Sequence, residues 1–138
     1  MDQESIIEHV REALPAAVIA KPTDGPGAGD VFFFCKGDQK MPFATIVTKD
    51  YGDFDDLSKL DRDGVFRLNI GIRKETFAAM FDPHHASSFD FTVLDVIMPH
   101  PAYGKMHWVC VLNPGDATFE KVKPLLTEAY SLAAKRAG

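Results

Sequence analysis

Apolar positions come first at helical spacing. Ile6, Ile7, Val10, Ala13 and Leu14 recur in steps of three and four, with Asp2 in place to cap the helix and Pro15 to close it. Ala17–Ala20 reads as a short strand, and the run from Pro22 to Gly29 as a loop by its turn residues. Val31–Lys36 and Pro42–Lys49 form a hairpin around Gly37, Asp38, Gln39 and Lys40, and an aspartate-rich loop follows from Asp50 to Asp63. From Val65 to Ile72 the pattern alternates: Phe66, Leu68, Ile70 and Ile72 on one face, Arg67, Asn69 and Gly71 on the other. A second helix, from about Lys74 to Phe81, buries Phe77, Met80 and Phe81 and stops at Asp82-Pro83. Thr92–Met98 and Met106–Leu112 predict two further strands. A last helix carries Phe119, Val122, Leu126, Ala129 and Ala133 on one stripe, and Pro124 predicts a kink or a broken first turn in it.

This order predicts one two-layer α+β domain over residues 1–138. Its sheet is mainly antiparallel and five- or six-stranded, with the helices on one face. Alternation then turns Arg67 and Asn69 away from the helices. Their neighbours on that second face are half apolar, and Asp95 is expected among them. Such a face suits a homodimer interface or a shallow ligand groove, the alternative being a loop or the kinked C-terminal segment folded over it.

Composition narrows the class. At 138 residues, 46% hydrophobic and 25% charged, the chain can bury a core without disulfide or metal staples. A net charge of −5 argues against nucleic acid and anionic lipid as partners. No apolar run approaches the ~20 residues of a membrane span, and Met1-Asp2-Gln3-Glu4 lacks the layout of a secretion signal. Cys35 and Cys110 stand in apolar strand-like runs without a Cys-x-x-Cys neighbour, which predicts two buried thiols in a reducing cytoplasm.

Candidate chemistry is sparse. Gly25-x-Gly27-x-Gly29 leads into a strand, whereas a phosphate cradle needs a helix after it, so it reads as a hairpin loop. The histidines lack metal-ligand spacing; a site built from His84, His100 and an aspartate is the one arrangement to weigh against solvated loop histidines, with His85 adjacent to it. The loop Asp50–Asp56 lacks the glycine and bidentate glutamate of a calcium loop and is expected to be solvated. No metal or cofactor is expected. No nucleophile elbow is present. Two segments carry polar residues that packing does not require: the strand end at Lys49, and the turn His100-Pro101-Ala102-Tyr103-Gly104-Lys105-Met106-His107-Trp108, which brings a stiff, hydrogen-bonding aromatic surface.

The motifs Pro42-Phe43-Ala44-Thr45-Ile46-Val47-Thr48-Lys49-Asp50, Phe66-Arg67-Leu68-Asn69-Ile70, His100-Pro101-x-Tyr103 and Trp108-Val109 with Leu112-Asn113-Pro114 resemble an uncharacterised bacterial domain-of-unknown-function family over nearly the whole chain. Pro101-x-Tyr103, Lys105-x-His107-Trp108 and the closing Glu128-Ala129-Tyr130-Ser131-Leu132 are more distantly similar to YjbR-like (MmcQ/YjbR) proteins. That similarity implies an α-β(3)-α-β(2)-α order around an antiparallel sheet. It also brings a DNA-binding label, from which this acidic chain, with no basic stripe, departs.

The resulting expectation is a small bacterial cytosolic binding module. Its ligand site would combine Lys49, Arg67, Asn69, Tyr103 and Trp108 on the open sheet face, taking a small anionic ligand on its two cations, or a partner such as a second copy. The alternative is an enzyme with His100 or His107 as acid/base at that surface, and the third is nucleic-acid binding.

Overall fold

The Asp2 carboxylate accepts the Ser5 amide at 2.8 Å and starts the first helix where the sequence places it. The computed structural model describes residues 1–81 and 89–137. Along them run α1 (Gln3–Ala13), β1 (Ala17–Ala20), β2 (Val31–Cys35), β3 (Ala44–Val47), β4 (Arg67–Gly71), α2 (Lys74–Met80), β5 (Met98–Pro99), β6 (Trp108–Leu112) and α3 (Asp116–Ala137). The six strands form one sheet in the order β1-β2-β3-β4-β6-β5, antiparallel at each pairing. The α+β expectation therefore holds, with β1 as one strand more before α2 than the YjbR-like order contains.

Strand alternation separates two apolar layers. Phe33, Ile46, Leu68, Ile70, Val109 and Val111 face the helices and pack with Ile6, Ile7 and Val10 of α1 and Phe119, Val122 and Leu126 of α3. On the opposite face Val47, Cys110 and Leu112 join Leu60 and Met98 in a smaller cluster. Leu60 comes from the aspartate-rich loop and is 1% exposed. That loop is therefore folded over one end of the second face, and the expectation of a wholly solvated loop is corrected. The two cysteines are free and buried, Cys35 in the larger cluster and Cys110 in the smaller.

Three local readings change. The strand expected over 92–98 is reduced to Met98–Pro99. Asp95 adopts φ +64°, its amide donates to the Leu112 carbonyl at 2.6 Å, and its carboxylate accepts the Gly115 amide at 2.7 Å. A left-handed residue breaks the pleat, so Val93, Leu94 and Val96 are exposed and Asp95 is not embedded in the second face. In α2, Met80 is exposed and only Phe77 and Phe81 reach the core. The stop expected at Asp82-Pro83 lies outside the described residues. Finally, α3 runs as one helix through Pro124 rather than breaking at its first turn. The donor that proline lacks would have served Glu120, an exposed residue whose carbonyl water can reach.

Candidate functional site

A side chain at position 67 of β4 points away from the helices, and an arginine there needs a carboxylate if it is not to reach water. Arg67 is 1% exposed. Its Nη1 donates to Asp55 Oδ1 at 2.9 Å and its Nη2 to Asp55 Oδ2 at 2.5 Å, a two-pronged pair supplied by the folded-over loop. Nη1 also donates to Ser58 Oγ at 2.9 Å, and Nε to Asn69 Oδ1 at 2.8 Å. Asn69 in turn donates to Thr45 Oγ1 at 2.9 Å, because Thr45 and Asn69 are register partners on β3 and β4. The remaining guanidinium nitrogen direction leads from Nη2 to His100 Nε2, 3.1 Å away.

His100 follows β5 and is 3% exposed. Its Nδ1 accepts the amides of Ala102 and Tyr103 at 3.0 and 2.9 Å, which pins the turn. That turn sets Tyr103 against the His100 ring at 4.9 Å between centroids and near Trp108 at 6.5 Å. Trp108 stands opposite Gly71 across the β4–β6 ladder. A Cβ on Gly71 would lie 2.9 Å from the indole Cε2, so a side chain is excluded there by the ring itself.

Above this polar floor is a cavity of about 610 Å³. Its floor holds Arg67, Asp55, Asn69 and His100; its walls and mouth are largely apolar, with Phe32, Met41, Phe54, Tyr103, Met106 and Trp108. Gly27 and Pro26 add to the wall, so the glycine loop shapes the cavity by lying against Phe32.

The floor is close to neutral. Burial opposes a charge on Asp55, but the Arg67 hydrogen bonds and charge outweigh it and hold the carboxyl below its usual range. Burial and the adjacent Arg67 push His100 down to about 3, so the ring is uncharged at neutral pH. Burial also raises the Cys110 thiol to about 12, which removes it as a nucleophile.

Four of the residues expected from the sequence, Arg67, Asn69, Tyr103 and Trp108, come together at the cavity with His100. Lys49 is elsewhere: its Nζ donates to the Ala28 carbonyl at 2.5 Å and to Asp30 Oδ2 at 3.4 Å. Asp30 is buried and also accepts from Thr48 and Tyr51, so the cluster ties the loop before β2 to the end of β3. His107 faces the other side of the sheet, its ring 5.6 Å from Phe77 of α2. The pair of cations read as an anion site is thus not a pair, and each already meets a carboxylate. Asp55, Ser58, Phe32 and Phe54 were not foreseen. The available signal was Arg67 itself, since a buried guanidinium needs an acid and the most acid-rich segment is the preceding loop.

Among the described residues, no group of three or more His, Cys, Asp or Glu is placed to hold a metal ion. His84 and His85 lie outside them. No described helix is long and apolar enough to cross a membrane. No curated protein and no solved structure matches the chain. A family model does match, over residues 1–138, and the chain belongs to that family, a family of unknown function designated DUF6194.

Proposed function

We propose that this chain is a binding module whose cavity takes a small molecule with a largely apolar body. The observation that carries the reading is the cavity's mouth: Phe54 and Met106 are 66% and 58% exposed above a floor of buried, hydrogen-bonded polar groups. Exposed apolar side chains around a concave, partly polar site are what a ligand would cover. The volume is within the roughly 300–1,000 Å³ of small-molecule sites. A reducing bacterial cytoplasm suits such a module with two buried thiols.

Acid–base catalysis fits this floor less well. His100 is uncharged at neutral pH and its Nδ1 is committed to two amides, so it has neither a proton to give as imidazolium nor that lone pair to take one.

The test uses the chain's single tryptophan, which lines the cavity. N-phenyl-1-naphthylamine, a neutral apolar fluorophore, should bind saturably at one site, quench Trp108 and raise Tm. Phe54→Ala should weaken that binding five- to tenfold while changing stability by no more than about 0.5 kcal/mol, as for an exposed residue. Non-saturable binding, or binding indifferent to Phe54→Ala, would reject the site.

A second reading, association with another copy of this chain, draws on the exposed Val93, Leu94 and Val96, which lie outside the cavity lining. Sedimentation over a hundredfold range of concentration should then show a dimer, and a constant monomer would exclude it.

A further inference from the structure

His100 presents two nitrogens, and each faces N–H donors. Nδ1 lies 3.0 and 2.9 Å from the amides of Ala102 and Tyr103, while Nε2 lies 3.1 Å from Arg67 Nη2. A neutral imidazole has one acceptor and one donor, so it cannot accept on both sides. Assigning the acceptor to Nδ1 satisfies two main-chain amides; assigning it to Nε2 satisfies one guanidinium proton and opposes both amides. The first assignment leaves two donors unpaired, His100 Nε2–H and one Arg67 Nη2–H, where the second leaves three, Nδ1–H and both turn amides. The ring proton then resides on Nε2, pointing toward Arg67 Nη2.

Two donors therefore face each other at the cavity floor, 3.1 Å apart, with no acceptor between them. Both belong to side chains more than nine-tenths buried, and both line the cavity. The other Arg67 protons are taken by Asp55, Ser58 and Asn69, so the proton facing His100 is the one left over. What the pair lacks is an oxygen entering from the cavity.

The charge of that oxygen follows from its surroundings. Asp55 already neutralises Arg67 in a two-pronged pair. A carboxylate brought to the same spot would find no uncompensated cation and would meet the Asp55 charge across a buried guanidinium. A neutral carbonyl accepts two hydrogen bonds on its two lone pairs at no such cost.

We propose that the cavity recognises an uncharged carbonyl compound with an aromatic or apolar body, its carbonyl oxygen accepting from His100 Nε2–H and Arg67 Nη2–H together while the body lies against Phe54, Tyr103 and Trp108. This rests on the binding reading above and adds the chemical class of ligand to it.

Two measurements test it on the intact chain. Ring ¹⁵N chemical shifts of His100 report the tautomer without any ligand: Nε2 should be protonated and Nδ1 bare. A ring protonated on Nδ1 would make Nε2 a true acceptor and overturn the inference while leaving the cavity as a binding site. The second measurement follows the Trp108 indole N–H signal through titrations with acetophenone, ethylbenzene and benzoate, which share one ring and differ at the oxygen. Acetophenone should bind at least tenfold tighter than ethylbenzene and tighter than benzoate, and His100→Asn, whose Oδ1 can still accept the turn amides, should abolish its advantage. Equal binding of acetophenone and ethylbenzene, or tighter binding of benzoate, would overturn the carbonyl assignment alone. No binding by any of the three would overturn it together with the binding reading.

Discussion

Arg67 and Asp55 show how one buried pair organises its surroundings. Both charges are buried, and among the described residues each is held by the other and by neutral hydrogen-bonding groups. Removing one partner strands the other, which typically costs about 3–5 kcal/mol. Arg67→Met should therefore lose about that much in urea unfolding, and Arg67→Met with Asp55→Leu should recover part of the loss. A double variant no more stable than the single one would show that the pair matters by shape and not by charge. His100 adds a pH signature. Its folded value of about 3 lies below the ordinary histidine value of 6.5, so below pH 6.5 the unfolded chain takes up a proton that the folded one refuses. Its contribution to stability is complete above pH 6.5 and falls by about 1.4 kcal/mol per pH unit below it, down to about pH 3. Between pH 6.5 and pH 5 this amounts to roughly 2 kcal/mol. Urea unfolding at the two pH values should show the loss in the parent chain and a smaller slope in His100→Asn; identical slopes would refute the assignment. Asp55 acts in the same direction at lower pH, because a carboxyl depressed in the fold loses its stabilising effect as it protonates.

Strands β4 and β6 place the aromatic wall. Gly71 and Trp108 are cross-strand partners, and the indole occupies the space a Cβ would need. Gly71→Ala should push the ring toward the cavity, cost about 1–3 kcal/mol as overpacking does, and shift Trp108 emission. Unchanged emission would mean that the backbone, not the indole, gives way. The alternation of β4 was readable in the sequence because a strand's two faces repeat every second residue, and the apolar set Phe66, Leu68, Ile70 and Ile72 has no exceptions. Residues 92–98 show where that reasoning stops. Their apolar run also reads as a strand, yet a single left-handed Asp95, held by Leu112 and Gly115, leaves only Met98 of them in a named strand. Those contacts join residues far apart along the chain, and no local period encodes them.

The whole molecule is a sheet with unequal layers on its two sides. Helices α1 and α3 seal one side, and a loop and a turn partly seal the other, leaving the cavity between them. Leu60 anchors that second cover at 1% exposure, whereas Leu57, three residues earlier in the same loop, is exposed. Leu60→Ala should cost about 2–4 kcal/mol and weaken binding of the fluorophore, since the loop also carries Asp55 and Phe54. Leu57→Ala should stay within about 0.5 kcal/mol. Equal effects of the two would mean that the loop is not held through Leu60.

The amino-acid order by itself determined the helices, most of the strands and the outward direction of Arg67 and Asn69, because hydrophobic periodicity is a local property of the backbone. It also brought Tyr103 and Trp108 into view as stiff aromatics delivered by a turn. Only the tertiary structure decided what Arg67 meets, which of the two histidines shares its side of the sheet, and that Lys49 serves Asp30 instead of a ligand. The first of those outcomes depends on where an aperiodic loop comes to rest, and that is settled by burying Leu60 and pairing a charge already committed to the interior; the other two depend on contacts between residues far apart along the chain.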